Sequence, residues 1–211
     1  ATCVAQRSYL VEVLHWFHYR TPALKRSWAR EEALTWELLR AFEILPQSLF
    51  LRPLLHAIGE LSSDAAAAAD FLLDSSPLQV FRYPSLKLSG NKRNCRGDIG
   101  FGVAGLPSVW LEAKTAKFKP EKFRIQLAQQ REAMDGMSGG RPSVLVTLLP
   151  APWALDHTPN LSWQRVREVL ENGFSALQQE LPDSGLRYGY EVLARELIQR
   201  IDSHPNGLIA E

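Results

Sequence analysis

The stretch GDIGFGVAGLPSVWLEAK, residues 97 to 114, constrains this chain more than any other: two short apolar runs, each interleaved with glycine or charge, joined by AGLP. Successive residues of a strand project to opposite faces, so Ile99, Phe101 and Val103 share one side and Asp98, Gly100 and Gly102 the other. In the second run Val109, Leu111 and Ala113 alternate with Trp110, Glu112 and Lys114. The connection is short and contains Gly and Pro, so the runs are most simply an antiparallel hairpin with one apolar and one charge-bearing face. With Ala104 to Leu106 as the loop, Val103 faces Pro107 and Asp98 stands opposite Glu112, their Cβ atoms about 5 Å apart.

Two carboxylates that close repel unless a proton or a cation lies between them, and hard oxygen ligands of this kind suit Mg²⁺ or Mn²⁺. Lys114 projects to the same side, where an ammonium orients or activates an attacking water and stabilises developing negative charge. Gly100 and Gly102 would let a bulky substrate approach the strand backbone.

Around this hairpin the period is helical, then extended, then helical again. SWAREEALTWELLRAFEILPQ, with Ser27 as N-cap and Pro46 as stop, and LFLRPLLHAIGEL read as helices, and the alanine run DAAAAADFLLD as a helical turn onto the core. LQVFRYPSLKL, GDIGFGV, SVWLEAKT and PSVLVTLL read as four strands, interrupted only by the helix KPEKFRIQLAQQREAM. SWQRVREVLENGFSALQQEL, capped by Ser162, and YGYEVLARELIQRID close the chain as helices. The order predicts an α/β sandwich with a mixed sheet. With 211 residues and 45% hydrophobic content the chain can bury its own core as a single domain. No apolar stretch reaches the roughly 18 residues of a membrane span. Its two cysteines, Cys3 and Cys95, lie far apart, so a cytoplasmic location without a disulfide framework is expected.

Charge is unevenly spread. From Arg82 to Arg124 ten basic residues face three acidic ones, a local +7 that leaves −6 for the rest of a chain whose net charge is +1. Phosphodiester backbones are bound mainly by clustered Lys and Arg, so the basic middle points to nucleic acid. Arg82, Lys87, Lys92, Arg93 and Arg96, in and around the loop KLSGNKRNCRGD that leads to Asp98, are the candidate phosphate contacts, with Lys117, Lys119 and Lys122 beyond the hairpin.

Asp98, then thirteen residues, then Glu112-Ala113-Lys114 resembles the PD-(D/E)xK phosphodiesterase superfamily, which includes restriction endonucleases and Holliday-junction resolvases. The resemblance covers residues 27 to 150, the expected catalytic core. It implies a restriction-endonuclease-like α/β/α sandwich, with residues 1–26 and 151–211 as helical additions. It also implies a metal-dependent nuclease acting on DNA. Asp98, Glu112 and the Ala113 carbonyl would hold one or two Mg²⁺ or Mn²⁺ ions, and Lys114 would activate the water. Glu31 in EEALT matches the family's first-helix Glu, chosen over Glu32 and Glu37 because it falls on the apolar stripe. Gln126 in QLAQQ matches its helical Gln, with Gln130 one turn away. Gly97 stands where the family usually has Pro. The terminal helices are the expected surfaces for a homodimer or a partner subunit. The competing expectation is a catalytically inactive nuclease-like fold that binds nucleic acid or protein.

Other motifs carry less. GMSGG at residues 136 to 140 formally matches G-x-S-x-G but follows a helix instead of a strand, so it reads as a helix end and loop. HWFH at residues 15 to 18 lacks partners at metal-ligand spacing, and no Walker loop or dinucleotide fingerprint is present.

Overall fold

A computed structural model describes residues 31–82, 85–87, 94–150, 153, 155 and 157–209, without the side chains of residues 31–33, 82, 85–87 and 94–96. The first three helices among the described residues are α1 (Glu31–Ile44), α2 (Leu51–Gly59) and α3 (Ser63–Leu73). The Ser62 hydroxyl caps α3 by accepting from Ala65 N at 3.1 Å. Strands β1 (Gln79–Arg82), β2 (Ser85–Lys87), β3 (Asn94–Arg96), β4 (Ile99–Val103) and β5 (Leu106–Ala113) follow, then α4 (Pro120–Met137) and β6 (Val144–Leu149). The chain continues through β7 (Asn160–Ser162), α5 (Trp163–Glu180) and α6 (Gly185–Asp202).

The main sheet is five-stranded and mixed, in the order β1-β4-β5-β6-β7. The β1, β4 and β5 strands form an antiparallel meander, whereas β6 and β7 run parallel to β5. Alternation divides its residues between two cores. Phe101, Leu111 and Val146 pack on one face against Phe42 of α1, Ile58 of α2, Leu170 of α5 and Leu197 of α6. Trp110, Leu145 and Leu149 pack on the other against Phe123 and Leu127 of α4. The strand VLVTLL is buried throughout because it has a core on each side. The C-terminal helices share the principal core instead of forming an appendage. No helix among the described residues is long and apolar enough to cross a membrane.

The hairpin differs from expectation in its turn. Val103 pairs with Leu106, so the loop is two residues, with φ of 51° at Ala104 and 80° at Gly105. Positive φ at both central positions follows the right-handed twist of the strands. The register then shifts between Phe101 and Gly102, leaving Ser108 as an extra residue in β5. A Cβ on Gly102 would lie 2.0 Å from the Leu106 carbonyl oxygen, so the irregularity requires glycine there. One residue removed from the turn and one inserted at Ser108 cancel, and Phe101↔Val109, Gly100↔Trp110 and Ile99↔Leu111 keep the expected pairing.

Three strand expectations change. LQVFRYPSLKL, expected as one strand, divides into β1 in the main sheet and β2 in a separate ribbon with β3. The stretch expected as a loop before Asp98 therefore contains β3, and this ribbon lies beside α4. The β7 strand, only three residues with Leu161 alone buried, was not expected. Helix α4 also continues three residues beyond Met134, and GMSGG forms its end, with Ser138 as C-cap followed by Gly139 and Gly140 at positive φ.

Candidate active site

Glu112 lies near the end of β5 on the face covered by α4, and only 2% of it is exposed. A carboxylate so buried is tolerable only with partners for its oxygens. Oε1 accepts from Lys114 Nζ at 3.0 Å and from Gln126 Nε2 at 2.6 Å, and Oε2 accepts from Gln130 Nε2 at 2.7 Å. Burial pushes the Glu112 carboxyl above its ordinary value, a shift that the Lys114 charge and the hydrogen bonds from Gln130, Lys114 and Gln126 only partly offset.

Lys114 follows β5 directly. Its N–H donates to the Leu148 carbonyl at 3.0 Å, continuing the parallel ladder by one residue. Its Nζ donates to the Ala113 carbonyl at 3.0 Å and lies 5.2 Å from the centre of the Phe123 ring, a cation–π arrangement. The ammonium is thus held between a carboxylate, a carbonyl and an aromatic face.

Asp98 precedes β4 and is half-buried. Its N–H donates to the Leu111 carbonyl at 3.2 Å, and its Oδ2 accepts from Ala113 N at 2.8 Å. That side chain supplies an acceptor where the β4–β5 ladder ends, which ties Asp98 to the residue between Glu112 and Lys114. Gly97 packs on Trp110, which is fully buried beneath α4. A Cβ on Gly97 would lie 2.7 Å from Trp110 Cε3, so glycine here accommodates that indole.

Asp98, Glu112, Ala113, Lys114 and Gln126 are therefore brought together. Glu31 opens α1, but its side chain lies outside the described residues. Arg82, Lys87 and Arg96 lie on β1, β2 and β3 with undescribed side chains, and Lys92 and Arg93 lie outside the described residues. Lys117, Lys119 and Lys122 are exposed between the end of β5 and the first turn of α4, with Lys122 one turn before Gln126. The possible Ser27 cap, HWFH and the helical addition over residues 1–26 also lie outside the described residues.

Two contributors were not found from sequence, and a third, Gln130, was given only as lying one turn from Gln126. Gln130 is fully buried against Glu112 and follows Gln126 at the four-residue spacing of one helix face, the signal that could have ranked it. Trp163 Nε1 donates to the Lys114 carbonyl at 3.2 Å, and Asn206 Nδ2 donates to the Thr115 carbonyl at 2.6 Å. Neither has a local sequence signal.

No group of three or more His, Cys, Asp or Glu side chains placed to hold a metal occurs among the described residues. Glu112 Oε1 and the Ala113 carbonyl each lie 3.0 Å from one positive centre, Lys114 Nζ. Carboxylate and carbonyl oxygens are the donor types that Mg²⁺ and Mn²⁺ prefer, and a second carboxylate, Asp98, accepts from Ala113 N next to them. Compared with protein-family models, with curated proteins and with solved structures, the chain has no match in any of the three.

Proposed function

We propose that the chain is a metal-dependent nuclease of the PD-(D/E)xK kind that hydrolyses phosphodiester bonds in DNA, on a restriction-endonuclease-like α/β/α sandwich. The observation that carries this reading is the convergence of Glu112 Oε1, the Ala113 carbonyl and the Lys114 ammonium at the strand end to which Asp98 is bonded. The succession of a helical segment, three antiparallel strands, a helix and a parallel strand supports it.

Asp98, Glu112 and the Ala113 carbonyl would hold Mg²⁺ or Mn²⁺, which when bound supplies Lewis acidity at the scissile phosphate. Lys114 donates to the attacking water and places a fixed positive charge where the phosphorane oxygens become more negative. Water oxygen bonds to phosphorus, a P–O ester bond breaks, and the leaving oxygen takes up a proton. Gln126 and Gln130 hold the two oxygens of Glu112 in place, so the carboxylate does not rotate away. Glu31, Lys117, Lys119 and Lys122, with Arg82, Lys87, Lys92, Arg93 and Arg96 on the segment before Asp98, complete the proposed metal support and backbone contacts.

The test compares wild type and Lys114→Ala on supercoiled DNA, linear DNA and RNA with Mg²⁺, Mn²⁺ or EDTA. Cleavage by wild type that requires metal and falls about 100-fold or more in Lys114→Ala is expected. Salt-sensitive DNA binding by both proteins with no cleavage by either would replace the nuclease with a silent binding fold.

A further inference from the structure

We propose that Asn206 and Trp163 are positioning residues of the candidate site, through which the C-terminal helices set the orientation of Lys114. This inference rests on the nuclease reading for its kinetic consequence and on geometry alone for the placement of Lys114.

The orientation of a side chain follows from the two peptide planes that flank its Cα. The plane before Lys114 is fixed by the sheet, because Lys114 N–H donates to the Leu148 carbonyl at 3.0 Å. The plane after it lies beyond the last residue of β5, where the ladder no longer supplies a donor. There the Lys114 carbonyl accepts from the Trp163 indole at 3.2 Å, and the next carbonyl, of Thr115, accepts from the Asn206 amide at 2.6 Å. Two side chains from the C-terminal segment thus take over where the sheet stops.

Both donors are themselves fixed. Trp163 is fully buried and is the first residue of α5, directly after Ser162, which pairs with Leu149 in the sheet and caps the helix by accepting from Arg165 N at 3.1 Å. Asn206 follows α6 in a turn where its N–H donates to His204 Nδ1 at 3.3 Å and Gly207 N–H donates to the His204 carbonyl at 3.0 Å. Gly207 has a φ of 61°, and Leu208 beyond it is buried in the principal core, which anchors the turn. Thr115, between the two clamps and Lys114, is fully buried, and its Oγ1 has no hydrogen-bond partner among the described residues. Without the clamps, nothing described at the side chain of Thr115 would hold this segment.

In this backbone orientation Lys114 Nζ reaches Glu112 Oε1 and the Ala113 carbonyl, each at 3.0 Å. Holding the carbonyls of Lys114 and Thr115 fixes φ of Lys114, and a change of φ would swing its Cβ, and with it the ammonium, relative to both oxygens while leaving β5 and its ladder intact. The C-terminal helices are accordingly part of the site, and a core ending at residue 150 would lack the clamp.

The experiment measures acylation of individual lysines by mass spectrometry, together with kcat and KM for Mn²⁺-dependent DNA cleavage, in wild type, Asn206→Asp and Trp163→Phe. Asn206→Asp is nearly isosteric at an exposed residue, and Trp163→Phe removes the N–H while retaining an aromatic ring. Labelling of Lys114 is expected to rise several-fold in both, with Lys117, Lys119 and Lys122 unchanged as internal references. kcat should fall about 10- to 100-fold with KM within about twofold. Unchanged labelling of Lys114, or a rise in KM at constant kcat, would overturn the inference. If wild type does not cleave, the nuclease reading fails, and the labelling ratio alone decides whether Asn206 and Trp163 position Lys114.

Discussion

Gln130→Ala should destabilise the chain far more than Gln126→Ala, although both glutamines donate to the same carboxylate. Gln130 is fully buried and is the donor to Glu112 Oε2, whereas Gln126 is half-buried and shares Oε1 with Lys114. A hydrogen bond to a charged acceptor contributes about 1.5–3 kcal/mol, and an acceptor left without it inside the protein costs its desolvation. Loss of Gln130 should therefore cost about 2–3 kcal/mol, a fall in Tm of about 5–10 °C for a chain of this size. Loss of Gln126 should cost about 1 kcal/mol or less, because Lys114 and water can still satisfy Oε1.

The gap should also depend on pH. Glu112 has its pKa raised in the fold, so its contribution to stability is fully present below its ordinary value of 4.5 and is lost as pH rises through the folded value. The Gln130 bond lowers that folded value. Its removal raises it further, so the difference between Gln130→Ala and wild type should widen as pH rises through the wild-type folded value, compared here at pH 4 and pH 8. Urea unfolding followed by circular dichroism at both pH values measures this. A Gln126→Ala loss equal to that of Gln130→Ala, or a gap that narrows as pH rises, would refute the assignment of Gln130 as the buried support of the Glu112 carboxylate.

Two further outcomes follow from the same geometry. Gly97→Ala would bring a Cβ to 2.7 Å from the fully buried Trp110 ring, and should cost about 1–3 kcal/mol in unfolding free energy with a changed near-ultraviolet tryptophan signal. Mn²⁺ at 100 times its Kd should stabilise wild type by about 2.7 kcal/mol, or about 5–11 °C in Tm, and this gain should disappear in Asp98→Asn and Glu112→Gln. An equal gain in either variant would place the cation elsewhere.

The site was legible where geometry forces the pattern. A period of two is a property of the strand itself, so the alternation through residues 97–114 was enough to set Glu112 and Lys114 together at the end of β5, with Asp98 hydrogen-bonded to Ala113 between them. The pairing near the site survived a wrong turn length because the tighter loop and the Ser108 irregularity offset one another, which no local pattern could announce. Pro84 inside LQVFRYPSLKL marked a break that periodicity alone passed over. Strands of three residues, such as β3 and β7, are too short to show a period at all. The clamp on Lys114 was illegible for a different reason: Trp163 and Asn206 act on a segment 49 and 91 residues away through single hydrogen bonds.

Glu112 makes poor sense as a stability device. An ion pair taken out of water gains little over well-packed apolar residues of similar volume. Here the apolar alternative was at hand, since Trp110, Phe123, Leu127 and Leu145 line the same face. The chain instead buries Gln130 completely on the packed side of α4, where a leucine would serve the core better, and aims its amide at a carboxylate that burial works to neutralise. Gln126, Gln130 and Lys114 each lower the Glu112 pKa. Their common effect is to favour the charged form and so partly offset the cost of its position. A buried carboxyl whose pKa burial raises, held by two glutamine amides and one ammonium, is the arrangement expected of a reactive centre, and it supports the reading of this strand end as an active site over that of a structural ion pair.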